Sequence, residues 1–489
     1  MSIIVTTNQR RRRLAGRLLL ALAGVPAMVS SAAGVRGDTV AYEAPGGTQE
    51  ACVAIEHAPD GRYSDADRSD EKALCAIDFY SGSVGLCPKV FSTSPGTLVY
   101  DLSGGPFAGQ ASGFEKQQCS ERRIIKSGAS GGPVSFKMTM NTPDTSATFA
   151  PASWLYYHFS RYFDTDVHVP VSVYRSMDRQ QHFERVVRTG VSASSGSGSS
   201  AMNHAGWKAL ENGANDPSSY KPMRELYTDE GRQIFGVLLR SAGDRYGAEI
   251  NGTRKSGWGA GQNRDFQETA PFLALRHDGA LRDAIATGLQ EANRDPELRK
   301  AMRNGPTPVQ MIFWMRELTE IVLLDFIFSQ QDRVGNIDYV DYWYWVDDGS
   351  VRSAPANSAA PPSEASGKDP VRIRRSVIND NDAAGRLPYA NFAKTTGMLE
   401  KLRHFPASTY RRLQQLANDF DTAGPYYQWL STAFSLSDRQ VAQVVANTLQ
   451  ASRLLAENCQ AGRLRFSLEP DEFIVNGTVN EQDVQCANE

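Results

Sequence analysis

Neither sign of charge is in excess in this sequence. Its 489 residues carry 52 Lys and Arg against 55 Asp and Glu, for a net charge of −3. With the basic residues scattered beyond the N-terminus, this balance gives no reason to expect nucleic acid or another polyanion as partner. No Cys-x-x-Cys occurs, so the usual zinc-binding spacing is missing. None of the seven histidines belongs to a His-Glu-x-x-His, which disfavours a metalloprotease. Long apolar runs are missing too. Leu18 to Val29 is too short for a spanning helix, and no later segment reaches that length without charge.

What is present at the start reads as an export signal over residues 1–33. Arg10 to Arg13 and Arg17 form a positive stretch, Leu18 to Val29 an apolar one, and Ser31-Ala32-Ala33 a small-residue cleavage site before Gly34. The twin arginines leave a folded-export route open, and an N-terminal anchor helix is the competing reading. The six cysteines all follow this segment. Their even number favours disulfides in an exported, periplasmic or secreted protein. Cys459 and Cys486 are expected to pair, with two further bridges among Cys52, Cys75, Cys87 and Cys119.

Composition is globular, 41 % hydrophobic and 22 % charged, and the length suits one large domain or two to three ordinary ones. Residues 34–97 read as a disulfide-stapled extension. Thr97 to Leu102 reads as a strand. Gly104 to Gly113 forms a glycine-rich turn whose Gly109 and Gly113 could bring backbone N–H groups to a phosphate, or simply close a hairpin. Val134 to Met140 alternates like a strand with Lys137 at its centre, where lysine is uncommon. A helix over Trp154–Phe163 and a strand over Val167–Tyr174 follow.

Ser192 to Ser200 reads as a flexible linker. Residues 201–305 are mostly helical, an insertion to which no chemistry attaches. Thr307-Pro308-Val309-Gln310 predicts a capped helix start. Ile312, Met315, Leu318, Val322 and Phe326 recur at helical spacing, so an amphipathic helix is expected. It runs into a polar loop with Asp332, Arg333 and Asn336, then an aromatic strand containing Asp338. Residues 353–370 are an Ala/Pro/Ser segment expected to be disordered. Val377–Ile378 then breaks into Asp380-Asn381-Asp382. The remainder reads as helices over Phe392–Leu402, Ser408–Phe420, Tyr426–Phe434 and Ser437–Glu457, with a β-prone tail.

Two carboxylates and an amide at strand ends can bind a hard, oxygen-seeking cation. With a lysine beside them, they supply most of what phosphoryl transfer asks of a protein. The pattern DFIFSQQDRVGN … VINDNDAAG resembles the atypical kinases with a D-R-x-x-x-N loop and a D-N-G or D-H-G metal turn. Among these are the secretory-pathway kinases of the Golgi casein kinase type, the HipA-like kinases and the phosphatidylinositol kinases. The resemblance spans about residues 100–440, with identity confined to short motifs. It implies an α+β, two-lobed protein-kinase-like fold. The β-rich N-lobe would cover 98–176 and the mainly helical C-lobe 177–489.

It also implies ATP and a divalent cation, Mg²⁺ or Mn²⁺, as cofactors. Lys137 would contact phosphates, Asp332 would be the catalytic base, and Asn336 and Asp380 would hold metal. The sequence departs from the pattern at three places. No carboxylate stands near Ser153, where the family's helix Glu belongs. Asn336 follows Asp332 by four residues instead of five, so Asp338 competes for its role. Asp382 stands where Gly is usual.

The acceptor expected from this resemblance is a hydroxyl, with protein Ser/Thr preferred over a lipid or sugar. The alternative is a pseudokinase that binds a protein or envelope ligand without catalysis. Gly128 to Pro133, GASGGP, mimics a serine-protease nucleophile turn with His57 and Asp101 upstream. Ala129 stands where that turn needs Asp, which argues against it.

Overall fold

The computed structural model describes residues 34–197, 200–302 and 305–486. The expected export signal, and Gly198 and Ser199 of the expected linker, lie outside the described residues. Two antiparallel sheets and a set of helices pack around one large hydrophobic core, with two smaller clusters beside it, an α+β arrangement. The larger sheet contains β1 (Gly37–Glu43), β2 (Gln49–Ile55), β3 (Val84–Pro88), β4 (Thr97–Asp101), β5 (Val134–Met138), β6 (Ser172–Asp178), β7 (Tyr227–Thr228) and β8 (Gln233–Leu239). Its spatial order is β1-β2-β6-β8-β5-β4-β3, with β7 also on β8.

This order corrects three expectations. Residues 34–97 are not an appendage, because β1, β2 and β3 are strands of this sheet. Residues 201–305, mostly helical as expected, are not an insertion set apart from the sheet, since β8 lies between β5 and β6. For the same reason, a boundary at residue 176 cuts this sheet. QIFGVLL is a short apolar run without alternation, which periodicity cannot assign to a strand or a buried helix segment. The strand foreseen at Val167–Tyr174 begins instead at Ser172.

Gly236 lets β8 approach the lysine strand. A Cβ there would stand 2.2 Å from the Lys137 carbonyl oxygen.

The smaller sheet holds β9 (Asp244–Arg245), β10 (Ile337–Asp347), β11 (Ser350–Pro355) and β12 (Val371–Ile378), in the order β11-β10-β12 with β9 on the first residues of β10. The aromatic run 339–345 is thus the central strand. Residues 353–370, expected to be disordered, include the end of β11 and a 3-10 turn at Ser363–Ala365.

The Pro308–Phe328 helix starts as read: Thr307 Oγ1 accepts from Gln310 N at 3.1 Å, with Pro308 at the first turn. The reciprocal half of the box is absent. Gln310 instead clips β12, donating to the Arg374 carbonyl and accepting from its N–H, both at 2.9 Å. The helix is buried all round, not amphipathic. Its charged residues pair inside: Arg316 with Glu320 at 2.7 Å, and Glu317 with Arg375 at 2.5 Å.

In the C-terminal part, three helices match expectation: Ala407–Asp421, Pro425–Ala433 and Asp438–Gln460. The helix foreseen at Phe392–Leu402 is broken into one α turn, Phe392–Thr395, and a 3-10 turn, Leu399–Lys401, separated at Gly397 with φ +65°. The tail carries a helix, Pro470–Asn476, in place of β structure.

The disulfides are Cys52–Cys75, Cys87–Cys119 and Cys459–Cys486, as the cysteine neighbourhoods foresaw. They fit an oxidising compartment. No described helix is long and apolar enough to cross a membrane.

Candidate active site

The Asp332 loop and the Asp380 turn are joined by the residue between them in character, Arg333. Its guanidinium is buried and donates to both carboxylate oxygens of Asp325, on the last turn of the Pro308–Phe328 helix, at 2.9–3.2 Å. It also donates to the Asn379 carbonyl at 3.1 Å and to Asn381 Oδ1 at 2.9 Å. Tyr156 OH closes the cluster by donating to Asp325 Oδ1 at 2.7 Å. Main-chain bonds finish the joint: Gln331 N to the Ala383 carbonyl, and Gly385 N to the Phe328 carbonyl. One buried cation thus ties together helix end, loop and turn. Its charge is itself stabilised by Asp325, which outweighs burial.

On this frame, a cavity of about 490 Å³ opens. Lys137, Asp332, Asn336, Asp380 and Asp382 all line it, drawn from parts of the chain up to 245 residues apart. Lys137 Nζ donates to Asp380 Oδ1 at 2.6 Å and to Asp382 Oδ1 at 3.3 Å. Asp380 has φ +52°, the left-handed conformation, which turns the chain sharply out of β12. The Lys137 ammonium holds the Asp380 carboxyl well below the usual carboxylate range. Burial opposes the charge on Lys137, but Asp380 and Asp382 outweigh it and hold its pKa above the ordinary value.

Asp332 behaves differently. Burial raises its pKa, against the pull of Arg254, whose Nη2 stands 3.9 Å from Oδ1. Its loop is braced by Asn336, whose Nδ2 donates to the Asp332 carbonyl at 2.6 Å. A carboxylate with a raised pKa, facing a cavity, is suited to exchange a proton.

Not every expected residue gathers here. Asp338 does not line the cavity; it pairs with Arg245 and accepts from Asn379 Nδ2 at 2.6 Å. Gly109 and Gly113 lie at the opposite end of the β3–β4 hairpin, where a Cβ on Gly82 would meet Gly109. The turn over the cavity is Lys89–Gly96, between β3 and β4. Ser130 is also apart from a triad. It accepts from Gly104 N, while His57 pairs with Glu71.

Sequence reasoning passed over Lys89, Arg245, Arg254 and Trp258. KVFSTSPG between two apolar segments is a turn signal that could have found the first. Lys89 reaches into the cavity, and burial lowers its pKa while Asp380 counters. Arg245, on β9, carried no local signal. It donates to Asn336 Oδ1 at 2.9 Å and to the Gly335 carbonyl, and its Nη2 stands 3.9 Å from Asp380 Oδ2.

The oxygens of Asp380, Asp332 and Asn336 are of the kind that hold Mg²⁺ or Mn²⁺. Two of these are already engaged, Asn336 Oδ1 by Arg245 and Asp380 Oδ1 by the Lys137 ammonium, so an ion there requires the half-exposed Arg245 guanidinium to move and Asp380 to turn an oxygen from Lys137. Among the described residues, no group of three or more His, Cys, Asp or Glu stands ready as a metal cluster. Comparison of the chain with protein-family models gives no match, and comparison with curated proteins gives none either.

Proposed function

We propose that this protein is an exported, kinase-like phosphotransferase that moves the ATP γ-phosphoryl group to a hydroxyl acceptor with a divalent cation. One observation carries the reading: Lys137, Asp380, Asp332 and Asn336 meet in a single cavity, with Lys137 Nζ 2.6 Å from Asp380. Protein kinases combine a strand lysine on the phosphates, an Asp and an Asn on metal, and an Asp that accepts the hydroxyl proton. The strand order supports a β-rich lobe. The lysine strand β5 lies beside the β3–β4 hairpin, whose turn covers the cavity. The Asp332 loop and Asp380 turn, backed by the Pro308–Phe328 helix, would form the opposite lobe.

In this reading Lys137 and Lys89 bind phosphate oxygens. Asp380 and Asn336 would hold Mg²⁺ or Mn²⁺, which neutralises charge on the transferred group. Asp332, poised by burial, takes the acceptor proton. Protein Ser/Thr is the favoured acceptor. Three disulfides support export.

A second reading, a pseudokinase that binds a protein or envelope ligand, is favoured by Arg245. Its guanidinium already engages Asn336 and Asp338. Thermal unfolding of the disulfide-intact protein separates the two. ATP with Mg²⁺ or Mn²⁺ should raise the melting temperature, and Asp380→Ala should abolish the rise. No shift with any nucleotide would overturn the phosphotransferase reading in favour of the binding module.

A further inference from the structure

We propose that Asp382 is the positioning residue for Lys137, a task that protein kinases give to a Glu on the helix after the lysine strand. The proposal deepens the phosphotransferase reading and rests on it for its catalytic meaning. The helix after the lysine strand here, Pro151–Phe163, reads PASWLYYHFSRYF and holds no carboxylate. Lys137 is paired all the same, with two carboxylates of one turn, at 2.6 Å from Asp380 and 3.3 Å from Asp382.

The two carboxylates face different surroundings. The Asp380 side chain is 38 % exposed, on the cavity wall, and that of Asp382 is 6 % exposed. A carboxylate that meets a cation or a nucleotide must be reachable. One that holds a lysine attracts it more strongly where water screens the pair less, which offsets the cost of burying the charges. The main chain of Asp382 is also tied to the segment that leads into that helix. Its carbonyl accepts from Phe149 N at 2.6 Å, just before the Pro151–Phe163 helix. When Asp380 turns its oxygens to a ligand, Asp382 keeps the Lys137 ammonium in place. The missing helix carboxylate and the Asp in place of Gly at 382 are then one exchange: the lysine's partner has moved from helix to turn.

A double-mutant cycle tests this. Asp382→Asn keeps the shape of the side chain and removes its charge, and Lys137→Met removes the ammonium. Both are made in the full disulfide-bonded chain. In the absence of ligand, the unfolding midpoint should fall in Asp382→Asn, and most of that fall should vanish when residue 137 is already Met. The same cycle on the ATP dissociation constant, with Mg²⁺, should show about tenfold weaker binding in Asp382→Asn and no further loss in the Lys137→Met background. Independent, additive effects in either measurement would overturn the proposal. Coupling in stability in a wild type that binds no nucleotide would instead uphold the pairing and defeat the phosphotransferase reading.

Discussion

At the scale of single residues, Arg333 holds the frame on which the cavity is built. It carries the charge that binds Asp325, and it fills the carbonyl of Asn379 and the amide oxygen of Asn381. Removing it leaves Asp325 buried at 5 % exposure with, among the described residues, only the Tyr156 hydroxyl as side-chain donor. Breaking a buried pair by deleting one partner costs about 3–5 kcal/mol, because the remaining charge is stranded. Arg333→Met should therefore lower stability by that amount in urea unfolding. A loss under 1 kcal/mol would mean that the joint is held by its main-chain bonds instead. In the sequence, Arg333 stood out only as the neighbour of Asp332. Nothing local marks Asp325 as its partner, because that pairing requires the helix to end in a tight turn at Ser329, with φ +55°.

At the scale of elements, β8 decides where Lys137 points. It hydrogen-bonds to β5 through Ser135–Met138 and to β6 along its whole length. Gly236 permits the approach to β5, and any side chain there must displace the Lys137 carbonyl. Gly236→Ala should cost about 1–3 kcal/mol by overpacking. On the proposed phosphotransferase reading it should also weaken the rise in melting temperature expected with ATP, because the lysine strand shifts. An unchanged melting temperature would show that the two strands relax freely. The Pro308–Phe328 helix teaches the complementary point. Its start was legible from Thr307-Pro308, but its polar positions implied a solvent face that does not exist. Arg316, Glu317 and Glu320 are buried because their partners arrive from Asp166, Arg375 and the Val167 amide, all distant in sequence.

At the scale of the whole molecule, burial sets a pH response. His404 is fully buried, hydrogen-bonded to Ser467 Oγ and the His277 carbonyl at 3.1 Å, and burial lowers its pKa to about 4. His182 is likewise lowered by burial, to about 3. The unfolded chain binds protons on these groups near pH 6.5 while the fold does not. Their stabilising contribution is therefore complete above that pH and is lost as pH falls towards 4. Carboxylates whose pKa burial raises, Glu320 among them, act the other way. The histidine contribution is thus best read by difference. The stability of the wild type relative to His404→Gln should fall by roughly 3 kcal/mol between pH 7 and pH 4. A difference independent of pH would show that His404 titrates normally.

What the sequence determined by itself was local. Cysteine neighbourhoods, the Thr307 cap, the lysine strand, the aromatic strand and the two Asp-bearing breaks all carry their signals within a few residues, in side-chain type, turn chemistry and period. Tertiary structure alone decided which strands are neighbours. Sheet order depends on hydrogen bonds between distant segments, so β1 to β3 and β8 could not be seen as parts of one sheet. It also decided the cover of the cavity, the Lys89–Gly96 turn over the glycine cluster, and the partner of each buried charge. Charges buried at such distances announce nothing locally, since a lone Arg, Asp or Glu in a sequence looks the same whether it will face water or its counter-ion.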